Sequence, residues 1–146
     1  MRGPASSMNT QRYLIDKSAL ARYPRPAVRA VLDPLHRAGL LAVCGAVELE
    51  VLYSARSKAD AERIRDEMRG FEWLPTPDEV WDRAFEVQTQ LIGHGNWRAV
   101  SMADLLIAAT AERHGAIVLH YDGDYDMIRA VTAQPTQWVV PAGTAD

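Results

Sequence analysis

Three short runs of apolar residues punctuate this chain: Tyr13-Leu14-Ile15 stopping at Asp16, Leu40-Leu41-Ala42-Val43 between Gly39 and Gly45, and Ala116-Ile117-Val118-Leu119. Each is too short for a helix and lacks the polar alternation of a half-exposed strand, so each reads as a strand buried on both faces. The segments between them carry helical spacing. That alternation implies right-handed crossovers and an α/β fold, with a mostly parallel central sheet and helices on both faces. In such sheets, ligands bind beyond the carboxyl ends of the strands.

The helical segments are legible from their spacing and punctuation. Ser18 is placed to cap a short helix through Tyr23, before Pro24 and Pro26. Val28, Val31, Leu32 and Leu35 predict a helix from Ala27 to Gly39, and Val47, Val51 and Leu52 one ending near Ser57. Lys58 to Gly70 is a charged helix with Ile64 and Met68 on a thin apolar face. Glu72-Trp73-Leu74 is a brief strand. Asp78 is expected to cap the longest helix, with Val80, Trp81, Ala84, Phe85, Gln88, Leu91 and Ile92 along one face. Ser101 starts a helix running to Gly115, a short helix spans Tyr125–Val131, and Trp138-Val139-Val140 is the last strand.

The 146 residues fit one domain, against roughly 100–200 residues per domain. We divide the chain into a tail-like segment 1–11, a domain over 12–141 and a short tail 142–146. No apolar stretch is long enough to span a membrane. Cys44, the single cysteine, excludes an internal disulfide and multi-cysteine zinc sites, and fits a reducing cytoplasm. Charge is uneven: residues 1–69 carry 12 Lys and Arg against 8 Asp and Glu, whereas 70–146 carry 4 against 11. That balance neither supports nor excludes a nucleic-acid partner.

The acids are better placed than their number suggests. Asp16 ends the first strand, and Asp122 and Asp124 follow the strand at 116–119. Glu50 lies on the helix after the second strand, and Asp104 in the first turn of the helix starting at Ser101. All five therefore belong to the crevice edge of a parallel sheet. Each also has a structural role open to it. Asp16 can cap a helix, Ser101 and Asp104 form a capping-box pattern, Asp122-Gly123-Asp124 fits a turn, and Glu50 a solvated helix face. Like charges gathered on one edge repel unless a cation holds them, and hard divalent ions prefer carboxylate oxygens. Other chemistries lack their signatures. Gly93-x-Gly95 follows a helix rather than a strand, there is no Gly-x-Ser-x-Gly turn, and the four histidines lack zinc-site spacing. Asp16-Lys17-Ser18 lacks the second acid of an aspartyl-phosphate phosphatase.

Four blocks in order then resemble one family. Tyr13-Leu14-Ile15-Asp16-Lys17-Ser18-Ala19-Leu20, Leu49-Glu50-Val51-Leu52-Tyr53-Ser54-Ala55, Val100 to Ala109 around Asp104, and Leu119-His120-Tyr121-Asp122-Gly123-Asp124-Tyr125 are similar to the acidic motifs of PIN-domain ribonucleases, specifically VapC-type toxins. The resemblance covers about residues 12–140. It implies a PIN-like three-layer fold and a Mg²⁺-dependent endoribonuclease, with Mn²⁺ as an alternative ion. The RNA substrate would be tRNA or rRNA, and cutting it would inhibit translation. It further implies Asp16 and Asp104 as the principal metal ligands, completed by Glu50 (rather than Glu48), Asp122 and Asp124, with Ser18 and Lys17 in support. A VapB-type antitoxin and a homodimer are the partners it implies. Lys17, His120 and Tyr125 depart from the residues commoner there, which bears on substrate contacts rather than on metal binding. Arg56, Lys58, Arg63, Arg65 and Arg69 have two readings: contacts to RNA phosphates, or a solvated face paired with Glu62 and Asp66. The aromatic pair Trp81 and Phe85 is expected in the core. The alternative to a nuclease is a PIN-like module that binds RNA or protein without cutting.

Overall fold

The computed structural model describes residues 10–146, so the tail expected over 1–11 lies almost wholly outside the described residues. The elements are β1 (Tyr13–Ile15), α1 (Lys17–Leu20), α2 (Pro26–Arg37), β2 (Leu41–Val43), α3 (Gly45–Tyr53), α4 (Lys58–Met68), β3 (Glu72–Trp73), α5 (Asp78–Gly93), α6 (Met102–Arg113), β4 (Ile117–His120), α7 (Asp124–Val131) and β5 (Thr136–Trp138). A 3₁₀ turn, Trp97–Ala99, precedes α6.

The strands form one sheet in the order β3-β2-β1-β4-β5, parallel at every pairing. With right-handed crossovers, α1 to α4 cover one face and α5 to α7 the other, giving three layers. α5 packs along α6 and α7, α3 along α4, and α3 also meets α6 across the carboxyl edge of the sheet. The chain winds outward from β1 to β3, then returns to the other side of β1. The gap beyond β1 and β4 is therefore the topological switch point, where such folds bind ligands. The register pairs Ile15 with Leu119, and the Asp16 N–H donates to the Leu119 carbonyl at 2.9 Å. Whatever follows β1 and β4 is thus held level at one edge.

The core explains why the strands read as purely apolar. Leu14, Ile15, Ala42, Val43, Val118 and Leu119 have no exposed surface, and Val47, Ile107 and Ile128 close over them from the helices. Leu14 lies at the centre of the middle strand. Leu14→Ala is expected to lower stability by about 2–5 kcal/mol through lost burial and the cavity left behind, read as a fall in the urea midpoint at unchanged slope.

Several local expectations are corrected. The short helix after β1 is capped by Asp16, not Ser18: the Asp16 carboxylate accepts from the Ser18 N–H. Pro77 occupies the cap position of α5, and Asp78 lies inside its first turn, where its charge complements the helix dipole. The last strand is Thr136–Trp138, because its ladder follows β4 and stops opposite His120. Val139 and Val140 are apolar because they are buried just beyond that ladder. The buried line of α5 is Val80, Ala84, Val87 and Leu91. Trp81 and Phe85 lie one position over from it and stay 45% and 63% exposed, so this pair is not core. Ile64 and Met68 are buried. On α4, Arg63 pairs with Asp60 and Glu67, and Arg69 with Asp66, whereas Glu62 has no ion pair among the described residues. Within 142–146, Ala145 is buried; its N–H donates to the Tyr121 hydroxyl at 2.9 Å, which donates in turn to Asp146 at 2.7 Å.

Candidate metal centre

Each acid reaches the switch point through a different local device. Asp16 leaves β1 as the cap of α1. Ser18 donates to its Oδ2 twice, from the N–H at 3.0 Å and from the hydroxyl at 2.6 Å, and Tyr125 donates to its Oδ1 at 2.8 Å. The Ser18 hydroxyl also accepts from the Tyr121 N–H at 2.9 Å, which ties the start of α1 to the end of β4. Asp104 arrives through the capping box of α6. Its carboxylate accepts from the Ser101 N–H at 3.3 Å, while its own N–H donates to the Ser101 hydroxyl at 3.1 Å. The capping role and the clustered position are both real, because the box anchors one oxygen and leaves the other.

Asp122 and Asp124 come from the turn after β4, where Asp122 Oδ1 accepts from the Asp124 N–H at 2.9 Å. The Asp122 N–H donates to His120 Nδ1 at 3.1 Å. That bond assigns the ring proton of neutral His120 to Nε2, which is buried without a hydrogen-bond partner among the described residues. Burial holds the His120 pKa below the usual imidazole range. Its ring packs at a tilt against Tyr125 and Trp138, with centroids 4.7 and 5.1 Å away.

Carboxylate oxygens of Asp104, Asp122 and Asp124 lie within 4.8 Å of one another. Asp16 and Glu50 flank this triad rather than joining it, and their charges are still felt. Burial, then the negative charges of Asp16 and Asp122, push Asp104 up to about 7, against two opposing bonds from Ser101. Burial, then Asp16 and Asp122, also raise Glu50, with Lys17 acting in the other direction. Burial and then Asp122 raise Asp124. Carboxylates that resist ionisation together are the signature of an uncompensated anionic site. The donor set is all oxygen, mixed in burial, with no soft ligand, which suits Mg²⁺ or Mn²⁺ and not zinc.

Lys17 lines an open cavity of about 620 Å³ with Leu20, Tyr23, Arg56, Ile64 and Phe71, and its charge favours ionised Glu50. The residue that sequence reasoning missed is Tyr125. It stands out as an unusual aromatic next to Asp124, but nothing local shows that its hydroxyl reaches a carboxylate 109 positions away.

A parallel sheet with a group of three acids at its switch point, and two more beside it, defines the class: an α/β protein with an acidic cluster at the carboxyl edge of its sheet. The PIN domain family matches residues 13–131. Ribonuclease VapC21 of Mycobacterium tuberculosis is 50% identical over 137 residues, covering 93% of this chain and 99% of the relative. Ribonuclease VapC51 of the same organism is 44% identical over 135 residues, covering 92% and 98%. The chain belongs to the PIN-domain family, in its VapC-type branch. Two solved complexes share the fold. VapBC2 from Rickettsia felis, bound to a DNA fragment from its promoter, has a TM-score of 0.72 at 16% identity over 88% of this chain and 98% of the other. DNA-bound VapBC from Salmonella typhimurium has 0.70 at 14% over 90% and 100%.

Proposed function

We propose that this VapC-type chain is a Mg²⁺-dependent endoribonuclease, the toxin of a toxin–antitoxin pair, which inhibits translation by cutting tRNA or rRNA. The observation that carries the reading is the Asp104–Asp122–Asp124 triad, flanked by Asp16 and Glu50 at the switch point. A divalent ion, when bound there, would supply activation of water and stabilisation of charge on the phosphodiester. The chain's own part is to bind and orient. Asp16 and Asp104 would be the principal ligands of the cation, with Asp122, Asp124 and Glu50 completing the acidic set around it. Ser18 fixes Asp16, and Lys17 offers an ammonium for a substrate phosphate.

Two partners accompany this reading. The cavity that Lys17 lines, apolar with charges of both signs from Arg56, Arg63, Asp60 and Glu67, suits a segment of a VapB-type antitoxin, which would cover the acidic edge. The exposed aromatics of α5 suit a second copy of the chain. No helix among the described residues is long and apolar enough to cross a membrane, and the lone buried thiol of Cys44 fits a cytoplasmic setting.

The test is cleavage of structured RNA by the purified chain, in Mg²⁺ and in EDTA. Cleavage in Mg²⁺ that stops in EDTA is the expected result, and mapping new 5′ ends in cells expressing the chain identifies the target. If the wild type cuts neither tRNA nor rRNA while Asp16→Asn binds them equally tightly, the chain is a binding module instead.

A further inference from the structure

We propose that Tyr125 is a positioning residue of the acidic site: its hydroxyl completes a clamp on Asp16 that leaves the carboxylate a single acceptor position, on Oδ1, for a bound cation. This rests on the metal reading above. A carboxylate has about four lone-pair positions, two on each oxygen. The Ser18 hydroxyl and N–H, at 2.6 and 3.0 Å, occupy both on Oδ2, and the Tyr125 hydroxyl, at 2.8 Å, occupies one on Oδ1. Asp16 is only 3% exposed, so water has little access to what remains.

The Tyr125 ring is fully buried and packs at a tilt against His120, whose Nδ1 accepts from the Asp122 N–H. One aromatic contact therefore joins the clamp on Asp16 to the loop that presents Asp122. Phenylalanine would fill the same space without donating. Asp16 would then be held at one oxygen only, about a side-chain torsion that is intrinsically broad. Partners that orient a metal-ligating group are typically worth 10–100-fold in metal affinity or activity.

The experiment titrates the full chain with Mn²⁺ by calorimetry, comparing wild type, Tyr125→Phe, Asp16→Asn, the double variant and Asp104→Asn. Tyr125→Phe is expected to weaken Mn²⁺ binding about tenfold and to lower kcat on RNA with KM little changed. In the Asp16→Asn background it should have no further effect on Mn²⁺ affinity, because the group it positions is gone. A packing role would lower the melting temperature in both backgrounds and leave Mn²⁺ affinity alone.

A second measurement needs no substitution. The Tyr125 hydroxyl proton, assigned in the NMR spectrum through its ring neighbours, should shift as Mg²⁺ is added. Wild-type Mn²⁺ affinity in Tyr125→Phe, or a hydroxyl proton indifferent to saturating Mg²⁺, overturns the proposal. Both readings fall if the wild type binds no Mn²⁺ or Asp104→Asn binds it as wild type does. If Asp104→Asn weakens binding and Tyr125→Phe does not, this inference alone is lost.

Discussion

Asp104→Asn is expected to make the metal-free protein more stable while nearly abolishing RNA cleavage. The Asp104 carboxyl is raised from 3.8 to about 7 by burial and by Asp16 and Asp122. A carboxyl whose folded-state pKa is raised contributes fully at low pH. Its contribution is lost as pH climbs from the unfolded value of 3.8 through about 7. At about 1.4 kcal/mol per pKa unit the full rise is an upper limit of about 4 kcal/mol, and with partial solvent screening allowed for the metal-free wild type at pH 8 carries a penalty of roughly 2–4 kcal/mol at this one position. Asparagine keeps the shape and can still accept from Ser101, so at most about 1 kcal/mol of capping energy is at risk. Melting in EDTA should therefore show the variant about 4–16 °C above wild type at pH 8, given about 2–4 °C per kcal/mol, with the gap closing towards pH 4. In Mg²⁺ the charge that asparagine lacks is the one the cation needs. Cleavage should fall about a thousandfold, the kinetic equivalent of the several kcal/mol a bound ion contributes. A variant that melts lower in EDTA yet cuts at the wild-type rate would return Asp104 to helix capping alone.

The second large effect is expected on α5. Trp81, Phe85 and Ile92 are exposed on this helix, and Met102 is 70% exposed at the start of α6 beside them. Trp81, Phe85 and Met102, together with Val100, Leu105 and Leu106, border an apolar hollow of about 180 Å³. Aromatic anchors flanking an apolar hollow are the usual makings of a binding hot spot. If a second copy covers this face, the wild type sediments at twice its 16.2 kDa chain mass. The double substitution Trp81→Glu, Phe85→Glu should then give a monomer. Two anchors at about 2 kcal/mol each weaken association by about a thousandfold. Folding should be nearly unaffected, since neither side chain lies in the core and surface changes usually stay within about 0.5 kcal/mol. Wild type sedimenting as a monomer across micromolar concentrations would count against the pair.

The charged helix α4 shows how a pattern can be read correctly in kind and wrongly in detail. Its solvated, ion-paired character follows from the density of charge, yet the pairs form from Arg63 to Asp60 and Glu67 and from Arg69 to Asp66, leaving Glu62 out. The three- and four-residue spacing allows several such networks. Side-chain geometry selects among them.

What the sequence determined by itself is what depends on neighbours along the chain. Apolar runs with no polar alternation announce strands buried on both faces, and acids at their ends announce a charged edge, because burial and chain direction act over a few residues. The capping box at Ser101 and Asp104 was legible for the same reason. Tertiary structure decided whatever depends on partners far along the chain. The ladder with β4 set the start of β5, and packing against α6 and α7 chose which side of α5 went inward and left Trp81 and Phe85 in solvent. The crossing at the switch point brought Asp104 to Asp122 and Asp124 and set Asp16 and Glu50 around them. The Tyr125 hydroxyl reaches Asp16 across 109 positions for the same reason. A side chain's periodicity says which way it points from its own helix or strand, but only the packed sheet decides what it meets there.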